Sequence, residues 1–93
     1  MDDRFFEEAA EVLKIMGHPL RLKIAQVLNQ GEQTVGAIAN AIGASQSATS
    51  QHLKIMRMRG ILASRRDSTC IYYSVARPEV FKILRCIQGD NSL

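Results

Sequence analysis

Ser47, Ser50, Gln51 and Lys54 fall at i, i+3, i+4 and i+7 within SQSATSQHLKIMRMRG (residues 45–60), so a helix over this stretch gathers two hydroxyls, an amide and an ammonium on one side. Such groups bury surface poorly. What they share is recognition chemistry. A glutamine amide can form paired hydrogen bonds to adenine, serine hydroxyls can reach bases or phosphates, and a lysine suits a phosphate or a guanine. Small side chains let a helix backbone approach its target closely, and the helix N-terminus itself favours a phosphate. Gln46 precedes the stripe, Arg57 follows it, and Arg65 and Arg66 come shortly after. Gln46, Ser47, Ser50, Gln51, Lys54, Arg57, Arg65 and Arg66 are therefore the candidate nucleic-acid contacts. The ordinary alternative is a solvated helix face with a pair of surface arginines.

Catalytic chemistry has little to work with. The chain holds two histidines and two cysteines, with no paired-carboxylate arrangement and no glycine-rich phosphate loop, so nothing assembles a nucleophile, a base and an orienting group. The reading is of a binding protein, not an enzyme, with no cofactor. Cys70 and Cys86 sit in no CxxC pair and near no histidine at zinc-finger spacing, so reduced thiols and no metal site are expected.

These groups must be positioned by a small scaffold. With 93 residues, of which 46% are hydrophobic, residues 1–93 form one domain, and a second copy is a natural source of extra buried surface. A homodimer is expected. The net charge of +3 is unevenly spread: residues 1–11 carry five acids against Arg4, while residues 54–66 carry five bases and no acid. One end of the fold is thus suited to a polyanion. No apolar run is long enough to cross a bilayer, and the acidic start MDDRFFEEAA is unlike a signal peptide, which points to a cytoplasmic protein without a membrane partner.

Periodicity supplies the elements. Phe5, Ala9, Val12, Leu13 and Met16 mark the buried stripe of a first helix ending at Gly17. His18-Pro19 opens a second, with Leu20, Ile24, Val27 and Leu28 inward. A short third helix carries Val35, Ile38, Ala39 and Ile42, with Thr34 as N-cap and a stop at Gly43-Ala44. The fourth begins after Ser45 or Gln46 and closes at Gly60. Its wheel sets Ala48, His52, Ile55 and Met56, with Leu53 at the margin, opposite the Ser47, Ser50, Gln51 and Lys54 face. ILASRR and CIYYSV around DST then read as a two-stranded hairpin whose turn lacks glycine. Pro78 begins a last helix with Val80, Phe81, Leu84 and Ile87 on one side, before the polar tail GDNSL frays.

The fold class predicted is mainly α (α+β): a winged helix-turn-helix of about five helices and a two-stranded β-hairpin wing, in the order ααααββα. The recognition helix would span 46–59 and the wing 61–75, the latter bringing Arg65 and Arg66 to a DNA backbone or minor groove. The same surface could instead serve a protein partner, since a fold alone does not fix function.

LKIMGHPLRLKIAQVL (13–28), SQSATSQHLKIMRMRGIL (45–62) and IYYSV (71–75) together make the chain similar to the ArsR/SmtB family of bacterial transcriptional repressors. The resemblance covers most of the chain. It implies a homodimer bound to an inverted repeat in double-stranded DNA, repression by blocking polymerase, and release when an effector changes the dimer's shape. It also implies an interface built from the first and last helices. Phe5, Phe6, Ala9, Phe81, Leu84 and Ile87 are the apolar residues placed for it.

The resemblance offers no familiar sensor. Many relatives hold a metal with thiolates in a pattern like ELCVCDL, where this chain has EQTVGAI, with Thr34 and Gly36 at the cysteine positions and Ala37 at the acid. A second family site uses Asp and His on the last helix, and PEVFKILRCIQGD has no histidine. His18 and His52 fit structural or DNA-proximal roles. Some relatives sense oxidants or reactive sulfur through cysteines on the second and last helices. Cys86 matches the latter, but the second helix has Ala25 and Gln26 and no thiol. Cys70 and Cys86 are thus the candidate redox residues. The expectation is that they are inert and partly buried, with a thiol switch, or a regulator without any small-molecule effector, as alternatives.

Overall fold

The computed structural model describes residues 2–89; the expected fraying of the tail concerns in part residues 90–93, which lie outside that range. Five helices and three strands follow one another as α1 (Asp3–Met16), α2 (Pro19–Leu28), β1 (Gln33–Thr34), α3 (Val35–Ile42), α4 (Gln46–Met58), β2 (Leu62–Asp67), β3 (Cys70–Val75) and α5 (Glu79–Ile87). Most helices start where a side chain can satisfy an otherwise orphaned backbone donor. Asp2 accepts from the Phe5 N–H at 3.1 Å, Thr34 from Ala37 at 3.3 Å and Ser45 from Ala48 at 3.0 Å. His18 does the same for α2 through Nδ1, which accepts from Leu20, while Pro19 fills the first helical turn, where no N–H is missed.

Two glycines make the sharp changes of direction around α4. Gly43 ends α3 in the left-handed region, at φ 70°, and Gly60 follows α4 at φ 79°. Both values are strained for residues with a Cβ, and both sites match the capping role expected from sequence.

The hairpin forms with Leu62 opposite Val75 and Asp67 opposite Cys70, leaving Ser68-Thr69 as a two-residue turn. Ser68 supplies the positive φ (59°) that glycine usually provides at such a turn. The third strand was not expected. β1 is two residues long and adds to the free edge of β3, pairing Gln33 with Tyr73 and Thr34 with Tyr72 in the order β1-β3-β2. The extended backbone that Thr34 needs as N-cap of α3 is the same conformation that lets it pair with a strand. The fold is otherwise the winged helix-turn-helix read from the sequence, mainly helical with a β wing.

Ile24, Ile38, Leu53, Met56, Ile61 and Val80 are the largest fully buried apolar side chains, so every helix but α1 contributes to the centre, while α1 adds Val12, Ile15 and Met16 from one side. The α1 stripe is rotated from the one expected. Ile15 is inside, whereas Phe5 and Leu13 are exposed, because α1 rests on the body by one narrow edge. In α2, Ala25 joins Ile24 and Leu28 in the core, with Leu20 and Val27 half-buried at its margin.

Candidate nucleic-acid interface

Helix α4 presents two unlike faces. Thr49, Leu53 and Met56, at i, i+4 and i+7, form the buried seam against the core. This corrects the wheel drawn from residue types: Leu53 is central, not marginal, Ile55 is exposed, and Thr49 is fully buried despite its hydroxyl. The Thr49 Oγ1 donates to the Ser45 carbonyl at 2.8 Å, so its burial leaves no unmatched polar atom. Gln46, Ser47, Ser50, Gln51, Lys54 and Arg57 are all exposed, and none takes part in an ion pair among the described residues. Arg59, just past the end of α4, is instead tied to Glu11 of α1 at 2.9 Å.

Behind α4 lies a polar cluster that sequence reasoning left unassembled. The Arg21 Nε donates to His52 Nδ1 at 3.2 Å and its Nη1 donates to the Ile15 carbonyl at 3.2 Å. The His18 and His52 rings lie 4.4 Å apart. Arg21 therefore links the end of α1 to the middle of α4. Burial, then the neighbouring charges of His18 and Arg21, push the His52 pKa below its ordinary value. The HPLR and QHL segments held these residues in plain view, but nothing in their spacing showed that they meet.

The wing separates its two arginines. Strand alternation puts Arg66 on the side of Leu62 and Ser64, and Arg65 on the side of Ala63 and Asp67. Arg66 is exposed and has no ion pair among the described residues. Arg65 is engaged within the chain: it pairs with Glu32 and its guanidinium carbon lies 4.7 Å from the Tyr72 ring centroid. Cys70 shares that side with Tyr72 and Ser74. Both Cys70 and Cys86 are free and exposed, which corrects the expectation that they are partly buried.

The apolar residues considered for subunit contact divide in two. Phe5, Phe6 and Ile87 are exposed (47%, 59% and 63%), and Ala9 and Phe81 are half-buried. Leu84 is only 7% exposed and is largely consumed by the core of its own chain. Between α1 and α5 runs a groove of about 400 Å³ lined by Phe5, Ala9, Val12, Leu13 and Ile83, with Glu8, Glu79 and Arg77 at its edges. Among the described residues no cluster of three His, Cys, Asp or Glu could hold a metal ion, and no helix is long and apolar enough to cross a membrane.

A short helix, a glycine turn, a second helix with a polar exposed face and an adjoining β hairpin define a winged helix-turn-helix protein. Comparison with known proteins then gives the family. The signature of the arsR family of bacterial regulatory proteins matches residues 18–64. The nodulation protein NolR of Rhizobium meliloti is 44% identical over 89 residues, covering 92% of this chain and 73% of the relative. The crystal structure of NolR from Sinorhizobium fredii superimposes with a TM-score of 0.82 at 39% identity, over 98% of this chain and 94% of that one. A solution structure from Mycobacterium bovis, described as a homodimeric winged helix-turn-helix DNA-binding domain, gives a TM-score of 0.80 at 32% identity, over 96% and 85% of the two chains. The chain belongs to the arsR family and is a transcriptional regulator of the winged helix-turn-helix type.

Proposed function

We propose that this regulator is a cytoplasmic homodimeric repressor that lays the exposed face of α4 in the major groove of an inverted-repeat operator. In this reading Gln51 contacts a base through its amide, Ser47 and Ser50 reach bases or phosphates, and Gln46, Lys54 and Arg57 flank them on the backbone. Arg66 carries the wing's charge to the adjoining backbone or minor groove. Phe5, Phe6, Ala9, Phe81 and Ile87 join the two subunits, with Leu84 supporting them from within. The protein binds and blocks; it catalyses nothing.

The observation that carries the proposal is the division of α4. A helix buried along Thr49, Leu53 and Met56, whose other face from Gln46 to Arg57 carries mainly exposed hydrogen-bonding and cationic groups, with Ile55 and Met58 as its exposed apolar residues, has that face available for a polar polyanion. The test is salt. Binding to a duplex selected from a random pool by the wild-type chain should weaken steeply as salt rises, with half-sites spaced by about one helical turn or a multiple. Binding that ignores salt, or the recovery of no preferred duplex, would favour a protein partner for the same surface.

The effector is read from the thiols. Exposure leaves Cys70 and Cys86 open to oxidants and sulfur donors. If they form a switch, peroxide or a persulfide donor releases the selected duplex from the wild type and not from Cys86→Ser. An unchanged affinity would point to a regulator governed by its abundance.

A further inference from the structure

Beyond Leu62 the wing stands clear of the core: Ala63 to Asp67 are all exposed. At about 3.3 Å per residue the far end of β2 is roughly 17 Å from Leu62. A ribbon of two strands is marginal without outside support. Its base is held on one side by half-buried Tyr73 and Val75. What holds the other side determines where Arg66 lies relative to α4.

On that other side Arg65 is occupied on nearly every edge. Its Nε donates to the two Glu32 oxygens at 3.1 and 2.9 Å, its Nη2 also donates to Glu32, and its Nη1 lies 3.9 Å from Asp67. One face of the guanidinium covers Tyr72. Glu32 lies in the loop between α2 and β1, two residues before the N-cap of α3. The contact thus runs from β2, over β3, to the segment that launches the helix-turn-helix. Arg65, Glu32 and Asp67 together carry one net negative charge, so this side of the wing repels phosphate.

We infer that Arg65 is a positioning residue and not a DNA contact: clamped by Glu32 over Tyr72, it braces the wing against the helix-turn-helix and so sets the reach of Arg66. The DNA role of Arg66 rests on the function proposed above, whereas the brace is a property of the free protein. A phosphate that captured Arg65 would leave the Glu32 carboxylate unpaired beside the duplex. The fork geometry also matters, since a planar guanidinium can bridge both carboxylate oxygens while stacking on a ring, and an ammonium cannot. The acidity of Glu32 agrees, being held below the usual carboxylate range chiefly by the hydrogen bonds from Arg65.

Hydrogen exchange on the free protein tests the brace. Glu32→Gln and Arg65→Lys should each speed exchange of the wing amides about three- to fivefold, with the α2 to α4 amides unchanged. Exchange unaltered in both variants would overturn it. Binding to the duplex selected by the wild type then assigns the charges. Arg66→Ala should lower the salt slope by about one unit, while Arg65→Lys and Glu32→Gln keep the slope and lose affinity. An Arg65→Ala variant whose slope falls as far as that of Arg66→Ala, or a Glu32→Gln variant that binds more tightly, would instead make Arg65 a phosphate contact. Should the wild type select no duplex, the DNA reading falls while the exchange result still decides the brace.

Discussion

His52 shows how much one side chain's protonation matters here. Its Nδ1 accepts from Arg21, so the ring needs there a lone pair that an imidazolium lacks. Because the folded-state pKa of His52 is lowered from 6.5, folded and unfolded chains are both neutral at this site above that value, and its contribution is intact there. As pH falls below 6.5, the unfolded chain takes the proton first, so stability declines until the folded site titrates too. Urea unfolding should therefore show a midpoint that drops as pH falls below 6.5, and His52→Gln should flatten the drop. The two histidines were visible in the sequence; their meeting was not, because it depends on how α2 crosses α4. Ser68 is a second case. It holds φ 59° at a turn position that favours glycine, so Ser68→Gly should stabilise the fold by about 0.5–1 kcal/mol, read from the same unfolding curves.

At the scale of the element, caps were more legible than faces. Thr34, Ser45, Gly43 and Gly60 act through one or two backbone groups beside them, so residue type and position suffice to place them. The buried side of α4 depends on three neighbours at once, α2, α3 and β2, and they turn the helix so that Thr49 rather than Ile55 faces inward. Hydropathy alone ranks those two residues the other way. The energetic consequence is testable: Leu53→Ala should cost about 2–5 kcal/mol, while Ile55→Ala should cost well under that, in denaturant unfolding. Strand β1 escaped notice for a different reason. Two residues cannot show a period, and its pairing comes from the edge that β3 leaves open. The two adjacent wing arginines likewise looked alike in sequence, yet alternation sends them to opposite sides and Glu32, distant in the chain, captures only Arg65.

Among the described residues, four of the exposed large apolar side chains belong to α1 and α5, while Ile55, Met58 and Ile71 are exposed on α4 and the wing. Phe5, Phe6, Leu13 and Ile87 are exposed on α1 and α5, and the groove between these two helices is lined largely by apolar side chains, the kind of surface that marks an interaction site. Terminal apolar stripes were evident in the sequence; that Leu84 would be spent within the monomer and Leu13 left outside was not, since the first depends on how α5 packs on α2 and the second on which edge of α1 meets the body. Phe6→Lys or Ile87→Glu should shift the chain toward monomer in sedimentation velocity, with affinity for an inverted repeat falling more than affinity for a single half-site. Unchanged sedimentation in both variants would place the interface elsewhere.

The central claim is that the exposed face of α4 reads bases. Its most direct measurement is the affinity of wild type and Gln51→Ala for the selected duplex and for a set of duplexes carrying single base-pair changes. The wild type should lose about 1–3 kcal/mol at one position of each half-site, and Gln51→Ala should lose that discrimination while keeping the rest. Equal weakening of Gln51→Ala on every duplex, random sequence included, would contradict it.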